Sequence, residues 1–159
     1  MTYMNIMPES SPERYEKYMR MAIDAAEASA VRGEVPVGCV IVRGDEILAV
    51  TSNRREEDKD ATSHAELDAI SEACRKLGGW RLIGCELFVT LEPCPMCAGA
   101  IVNSRIPRVV FGAKDAKAGA LGSVVNLCAY PLNHKPEVVS GVLTDECADV
   151  LTRFFIGKR

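Results

Sequence analysis

Apolar positions first fall at helical spacing at Tyr15, Tyr18, Met19, Ala22, Ile23 and Ala26, which form one stripe. Ser11-Pro12-Glu13 before them has the makings of a helix start: a capping hydroxyl, proline at the first helical position and an acid in the first turn. The spacing predicts a helix to about Arg32, ended by Gly33. Two short apolar runs follow, Val37 to Val42 and Ile47 to Thr51. Arg43-Gly44-Asp45-Glu46 between them reads as a hairpin turn. Asn53 to Ser63 is polar and predicts a loop, His64 to Leu77 a second helix, and Gly78-Gly79 its stop. Glu86 to Leu91 is rich in strand formers. Pro93 breaks that strand, and a third helix is expected from about Cys94 to Ser104. Arg108 to Gly112 predicts another strand, Asn126 to Pro136 irregular chain, Val138 to Val142 a last strand and Asp145 to Phe155 a last helix. Strands alternating with helices argue an α/β sandwich with helices on both faces of one sheet, partly antiparallel because of the opening hairpin.

The 159 residues suit a single domain, taken here as 13–159 behind a flexible segment, 1–12. No apolar run is long enough to span a membrane, and the N-terminus lacks the basic and apolar stretches of an export signal, so a cytoplasmic location is expected. The net charge of −3 counts mildly against a nucleic-acid binder, although a local basic patch would suffice. Seven cysteines, an odd number, argue against a disulfide framework and for a metal or catalytic role. Cys39, Cys74, Cys85, Cys128 and Cys147 lie in apolar patterns and are expected to be buried.

Two segments carry chemistry. His64-Ala65-Glu66 opens the second helix and Pro93-Cys94-Pro95-Met96-Cys97 opens the third. The chain between them is long enough for a helix, a loop and a strand, so both helix starts can meet at one end of the sheet, where ligands of open α/β sheets bind. Zinc takes thiolate and imidazole ligands, and catalytic zinc keeps three protein ligands and an open position for water. Cys94 and Cys97 present both sulfurs to one side of a helical turn, whose N-terminus favours thiolates. His64 is the expected third ligand of one zinc ion per subunit. Glu66, two residues further on, faces away from the position of His64 and is assigned as a proton shuttle rather than a ligand. A structural zinc would need a fourth ligand, for which Cys74, Cys85, Cys128, Cys147 or His134 would serve. A redox Cys-x-x-Cys pair would leave His64 and Glu66 unexplained. His-x-Glu together with Pro-Cys-x-x-Cys is the signature of zinc deaminases acting on bases.

The sequence resembles the bacterial tRNA-specific adenosine deaminases over roughly residues 12–156. The resemblance runs through Glu34-Val35-Pro36-Val37-Gly38, Asn53-Arg54, His64-Ala65-Glu66, Trp80-Arg81-Leu82 and Val89 to Ala100. It continues through Ser104-Arg105-Ile106, Phe111 to Gly119, Asn133-His134 and Phe154-Phe155. The zinc motif alone reaches only the cytidine deaminase-like superfamily; Phe111 to Gly119 with Asn133-His134 resembles the tRNA branch. The resemblance implies a three-layer α/β/α sandwich around a mixed sheet of about five strands, a homodimer, and conversion of adenosine to inosine at the wobble position of a tRNA anticodon arm. It implies that Asn53 contacts the flipped base, that Asp115 contacts the anticodon loop, that Val37, Leu91 and Glu92 line the pocket, and that Asn133 belongs to the substrate site.

Plainer roles compete for several of these residues. Asn53 could cap a strand end and Asp115 a helix. His134 is expected to be structural or at an RNA rim, and Phe154-Phe155 to be core. RNA binding is expected to use Arg105, Arg108, Lys114, Lys117, Arg153, Lys158 and Arg159 as a group. Two other functions share the zinc motif: deamination of a free base or nucleoside such as guanine or cytosine, and a non-catalytic zinc-stabilised RNA-binding domain, against which the intact Glu66 argues.

Overall fold

The computed structural model describes residues 7–157. Helix α1 (Pro12–Val31) begins as its residues require: the Ser11 hydroxyl accepts from the Arg14 amide at 3.1 Å and Pro12 takes the first helical position. Strands β1 (Gly38–Arg43) and β2 (Glu46–Ser52) form the hairpin, turning at Gly44, whose φ of +63° lies in the region glycine enters without steric cost. The short helix α2 (Arg55–Asp58) and helix α3 (Ala65–Leu77) follow; Gly78, left-handed, closes α3. Then come β3 (Cys85–Leu91), α4 (Pro95–Asn103), β4 (Arg108–Ala113), a 3-10 turn at Leu127–Ala129, β5 (Glu137–Ser140) and α5 (Thr144–Gly157).

The strands form one sheet in the order β2-β1-β3-β4-β5, antiparallel across the first three and parallel across the last three. Alternation along each strand divides the core in two. Cys39, Ile41, Leu87, Val89, Val109 and Phe111 pack with Ala65, Ala69, Ala98 and Ile101 of α3 and α4. Val40, Val42, Phe88 and Val110 pack with Tyr18, Met19, Ala22 and Val150 of α1 and α5. This is the expected three-layer sandwich with a five-stranded mixed sheet. The helices lie close against the sheet. A Cβ on Gly38 would stand 2.8 Å from the carbonyl carbon of Ala22 and the nitrogen of Ala26, so α1 can seat on β1 only over a glycine.

Register also joins three charged residues across the sheet. Glu86, Arg108 and Glu137 are cross-strand partners, and Arg108 bonds Glu86 at 2.8 Å and Glu137 at 2.9 Å. Arg14 of α1 covers the fully buried Glu86 at 2.6 Å. Arg108 also donates to the Pro8 carbonyl, and with the Ser11 cap this ties residues of the expected flexible segment to the fold; residues 1–6 lie outside the described ones.

Some expectations change. The polar stretch from Asn53 to Ser63 contains α2, because Glu34, 1% exposed, accepts from the Glu56 and Glu57 amides at 3.0 and 2.8 Å. A carboxylate remote in sequence thus caps a helix whose own N-cap residue, Arg54, supplies no side-chain acceptor. Cys39, Cys85 and Cys147 are buried as expected, but Cys74 and Cys128 are only half-buried, at the margin of the core. Phe155 is 52% exposed rather than core, and touches Phe154 edge-on.

Candidate active site

The sheet delivers four chain segments to one end. β1 begins and β2 finishes there, since Gly38 pairs with Ser52, and the parallel strands β3 and β4 end there at Leu91 and Ala113. Helices α3 and α4 start there. His64 is the N-cap of α3 and Cys94 the N-cap of α4, so each ligand candidate is held at a helix terminus by backbone bonds, Asp68 to His64 and Ala98 to Cys94. Cys97 lies in the first turn of α4, fully buried.

The three donors converge. His64 Nδ1 lies 3.7 Å from Cys94 Sγ and 3.6 Å from Cys97 Sγ, and all three atoms fall within 4.8 Å of one another. A tetrahedral zinc with bonds of about 2.3 Å to sulfur and about 2.05 Å to nitrogen separates such ligands by about 3.6 Å, so the donor set fits the ion. Cys74, Cys85, Cys128, Cys147 and His134 stand outside this cluster, and no fourth donor joins it among the described residues. The set has the three-ligand form of a catalytic centre.

The donors share hydrogen bonds among themselves, which sets their protonation. A hydrogen bond from the Cys97 thiol, then one with His64, holds the Cys94 thiol down at about 4, against the effect of burial. Cys97 is pushed up by the same contact with Cys94 and by burial. The bond to Cys94 raises His64. Glu66, 4% exposed, is raised by burial to about 7, in the range where a carboxyl both takes and gives protons near neutrality.

Beside these groups lies a cavity of about 160 Å³. It is small against the ~300–1,000 Å³ of pockets for drug-sized ligands, a size for one planar base rather than a whole nucleotide. His64, Glu66 and Cys94 lie on its wall, as do Asn53, Val37, Leu91, Glu92 and Asp115 from the sequence analysis.

Contact with the cavity does not mean the same thing for each. The Asn53 side chain donates to the Val35 carbonyl at 3.1 Å and accepts from the Arg55 amide at 3.2 Å, so it braces the cavity rim as well as facing it. Asp115 accepts from the Lys117 and Ala118 amides at 3.0 and 3.1 Å, capping a turn. The Glu92 carboxylate accepts from the Asp115, Leu121 and Ser123 amides and from the Ser123 hydroxyl, all in one loop.

Asn133 is not brought to the cavity within this chain. It is exposed, and its neighbour His134 bonds the Ile106 carbonyl at 2.6 Å, beyond the C-terminal end of α4. Cys94 is at the other end of that helix, about 14 Å away at 1.5 Å per residue. His134 thereby ties this segment to the chain just after α4.

The basic group divides as well. Lys114 and Lys117 are exposed beside Asp115 at the cavity. Arg108 is committed to Glu86 and Glu137 and 8% exposed, so it drops out of the RNA-facing set. Arg105 caps the far end of α4, bonding the Val102 and Asn103 carbonyls, and lies over Trp80. Arg153 pairs with Asp149 and Glu27. Lys158 and Arg159 lie outside the described residues. Sequence reasoning missed Val35, Arg55 and Ala118 on the cavity wall. Arg55 had no signal at all, because its position depends on α2 and hence on Glu34.

Residues 12–113 match the cytidine and deoxycytidylate deaminase zinc-binding region. The chain is 52% identical over 141 residues to the tRNA-specific adenosine deaminase of Bacillus subtilis strain 168, covering 88% of each protein. It is 44% identical over 143 residues to that of Agrobacterium fabrum, covering 89% of this chain and 94% of the relative. Among solved structures, a tRNA:A34 deaminase studied for A-to-I editing at the wobble position matches with a TM-score of 0.83 at 43% identity, over 85% of this chain and 99% of that one. The guanine deaminase of Nitrosomonas europaea matches with a TM-score of 0.73 at 25% identity, over 87% of this chain and 83% of that one.

Proposed function

The chain belongs to the tRNA-specific adenosine deaminases, within the cytidine and deoxycytidylate deaminase zinc-binding family, and from this we propose that it hydrolyses adenosine to inosine at the wobble position of a tRNA anticodon. The reaction takes adenosine and water to inosine and ammonia. The observation that carries it is the convergence of His64, Cys94 and Cys97 with a buried, near-neutral Glu66 on the wall of a base-sized cavity.

His64, Cys94 and Cys97 are the residues that would hold the zinc. When bound, it supplies a water acidified far below bulk water. Glu66 is the proton shuttle: its carboxylate takes one proton from the attacking water and delivers it to the ring nitrogen of the base, then takes the remaining proton from the added hydroxyl and passes it to the amine as the carbon–nitrogen bond breaks and ammonia leaves. Its burial keeps that proton off bulk water between steps. Val37, Leu91 and Asn53 surround the flipped base, with the Asn53 amide held at the rim by its bonds to Val35 and Arg55. A base must leave its stack to enter so small a cavity, and the single-stranded anticodon loop lowers that cost. Lys114, Lys117 and Arg55 then meet the flanking phosphates, while Asp115 contacts the loop.

The enzyme works as a homodimer in the cytoplasm, where its tRNA is. Exposed Val124, Val125, Tyr130 and Leu132 supply an apolar surface for the partner subunit, and Asn133 in that segment reaches substrate from there. Among the described residues no helix is long and apolar enough to cross a membrane.

The test is to incubate zinc-loaded protein with a tRNA transcript bearing adenosine at the wobble position, and in parallel with adenosine, adenine, guanine, cytosine and cytidine. Inosine at the wobble position alone is expected. Ammonia from a small molecule, with the tRNA untouched, would transfer the same zinc chemistry to a free base or nucleoside.

A further inference from the structure

Glu92 follows the last residue of β3, directly before Pro93, and is 2% exposed. A buried carboxylate needs donors, and Glu92 finds all of its donors in the segment 115–123. The Asp115 amide donates to Oε1 at 3.1 Å, and the Leu121 and Ser123 amides donate to Oε2 at 3.0 and 3.1 Å. The Ser123 hydroxyl donates to Oε1. Gly119 wraps against the same carboxylate: a Cβ there would lie 2.5 Å from Glu92 Oε2 and 2.6 Å from the Asp115 carbonyl oxygen. The segment is neither helix nor strand; apart from Glu92 it is held by the isolated bridge from Leu121 to Asn126, the turn capped by Asp115, backbone bonds that include Ala120 to the Pro93 carbonyl, and the burial of Ala120 and Leu121. Yet it contributes Asp115 and Ala118 to the cavity wall.

We propose that Glu92 is a positioning residue for the deamination: it touches no reacting atom but hangs the 114–123 loop on the end of β3, so that Asp115 and Ala118 complete the wall against which the substrate seats. This rests on the tRNA-deaminase reading for its substrate and on hydrogen bonds alone for its geometry. Two carboxylate oxygens meet four donors, so charge and shape are both used. Glutamine in its place keeps one acceptor and turns an amide donor toward backbone N–H groups. With the amide nitrogen at the Oε2 position it opposes the Leu121 and Ser123 amides; at the Oε1 position it opposes the Asp115 amide. Either way the loop loses part of its tether, while the bonds from the Ala98 amide to the Cys94 carbonyl and from the Ala120 amide to the Pro93 carbonyl do not involve the Glu92 side chain. A loop in place for only part of the time lowers apparent affinity by that fraction, and substrate that does bind restores it. The expected signature is therefore a raised KM with kcat nearly unchanged. A loss of global stability would instead reduce the active fraction, lowering kcat at constant KM.

The experiment is residue-resolved hydrogen exchange on the zinc-loaded full chain, comparing wild type, Glu92→Gln and Ser123→Ala, with zinc content and inosine formation on an anticodon stem–loop measured alongside. In Glu92→Gln, exchange at the Leu121 and Ser123 amides should be at least about tenfold faster, with protection in β3 and α4 and zinc content unchanged. KM for the stem–loop should rise about tenfold with kcat within about threefold. Ser123→Ala, which deletes one donor, should move the same readings by less, and it carries the test alone if Glu92→Gln does not fold. Unchanged exchange in both variants would overturn the proposal. So would zinc loss from either variant, which would assign Glu92 to the ligand turn, or a fall in kcat at constant KM. Exchange needs no substrate, so failure of the tRNA reading, seen as absence of inosine with wild type, leaves this outcome readable.

Discussion

Glu66 and Glu92 are both carboxylates with almost no solvent contact, and they differ only in what surrounds them. Burial leaves Glu66 near neutrality beside two thiols and an imidazole, while four loop donors hold the Glu92 carboxylate low against the effect of burial. One group is suited to exchanging protons and the other to staying charged. Replacing Glu66 with Ala should cost turnover on the order of 10²–10⁴-fold, the usual share of general acid–base catalysis, with zinc content unchanged. Unaltered turnover in a zinc-replete Glu66→Ala protein would remove the shuttle from the mechanism. The donor cluster of His64, Cys94 and Cys97 and the neighbouring Glu66 were legible in the sequence as two short motifs, because such chemistry demands particular side chains. The use of Glu92 was not, since its partners lie beyond β4, more than twenty residues on.

Elements followed the same logic. α1 was readable because its cap, its first-position proline and its apolar stripe are all local. α2 was not, because the groups that cap it belong to Glu34, on the far side of the hairpin. The contact of α1 with β1 yields a sharp prediction. Gly38→Ala drives a methyl group into the α1 backbone, where no rotamer change relieves it. The loss of stability should exceed the ~1–3 kcal/mol of ordinary overpacking. Gly79→Ala, whose added methyl meets nothing within 4 Å, should stay within about 1 kcal/mol of wild type. Thermal unfolding of the two variants side by side checks both, and comparable Tm values would mean that α1 yields easily.

Across the whole molecule, the cluster that could hold zinc joins the starts of two helices that the chain order keeps apart, α3 through His64 and α4 through Cys94 and Cys97. Chelation should therefore lower Tm as well as abolish activity, because a ligand bound only by the folded state stabilises it by about 4 kcal/mol at a thousand times its Kd. An unchanged Tm after verified zinc removal would mean that the two helix starts are held together by packing alone. With a net charge of −3, tRNA binding must rest on a local patch. Lys114→Ala with Lys117→Ala should weaken it and reduce the slope of log affinity against log salt by about one for each phosphate no longer neutralised. The same slope in the double variant would move the binding face elsewhere. By itself the sequence determined the order of the strands and longer helices, the layered α/β class and the two short motifs, His64-Ala65-Glu66 and Cys94 to Cys97, because each rests on neighbours within one or two helical turns. The tertiary structure alone decided the rest: that Arg108 is spent on Glu86 and Glu137, that Arg55 and Ala118 reach the cavity while Asn133 does not, and that Glu34 and Glu92 each hold a piece of its wall. A charged or polar side chain carries no local mark of its partner; the partner is set by which strands pair and in what register, and that is fixed only when the sheet closes over its two cores.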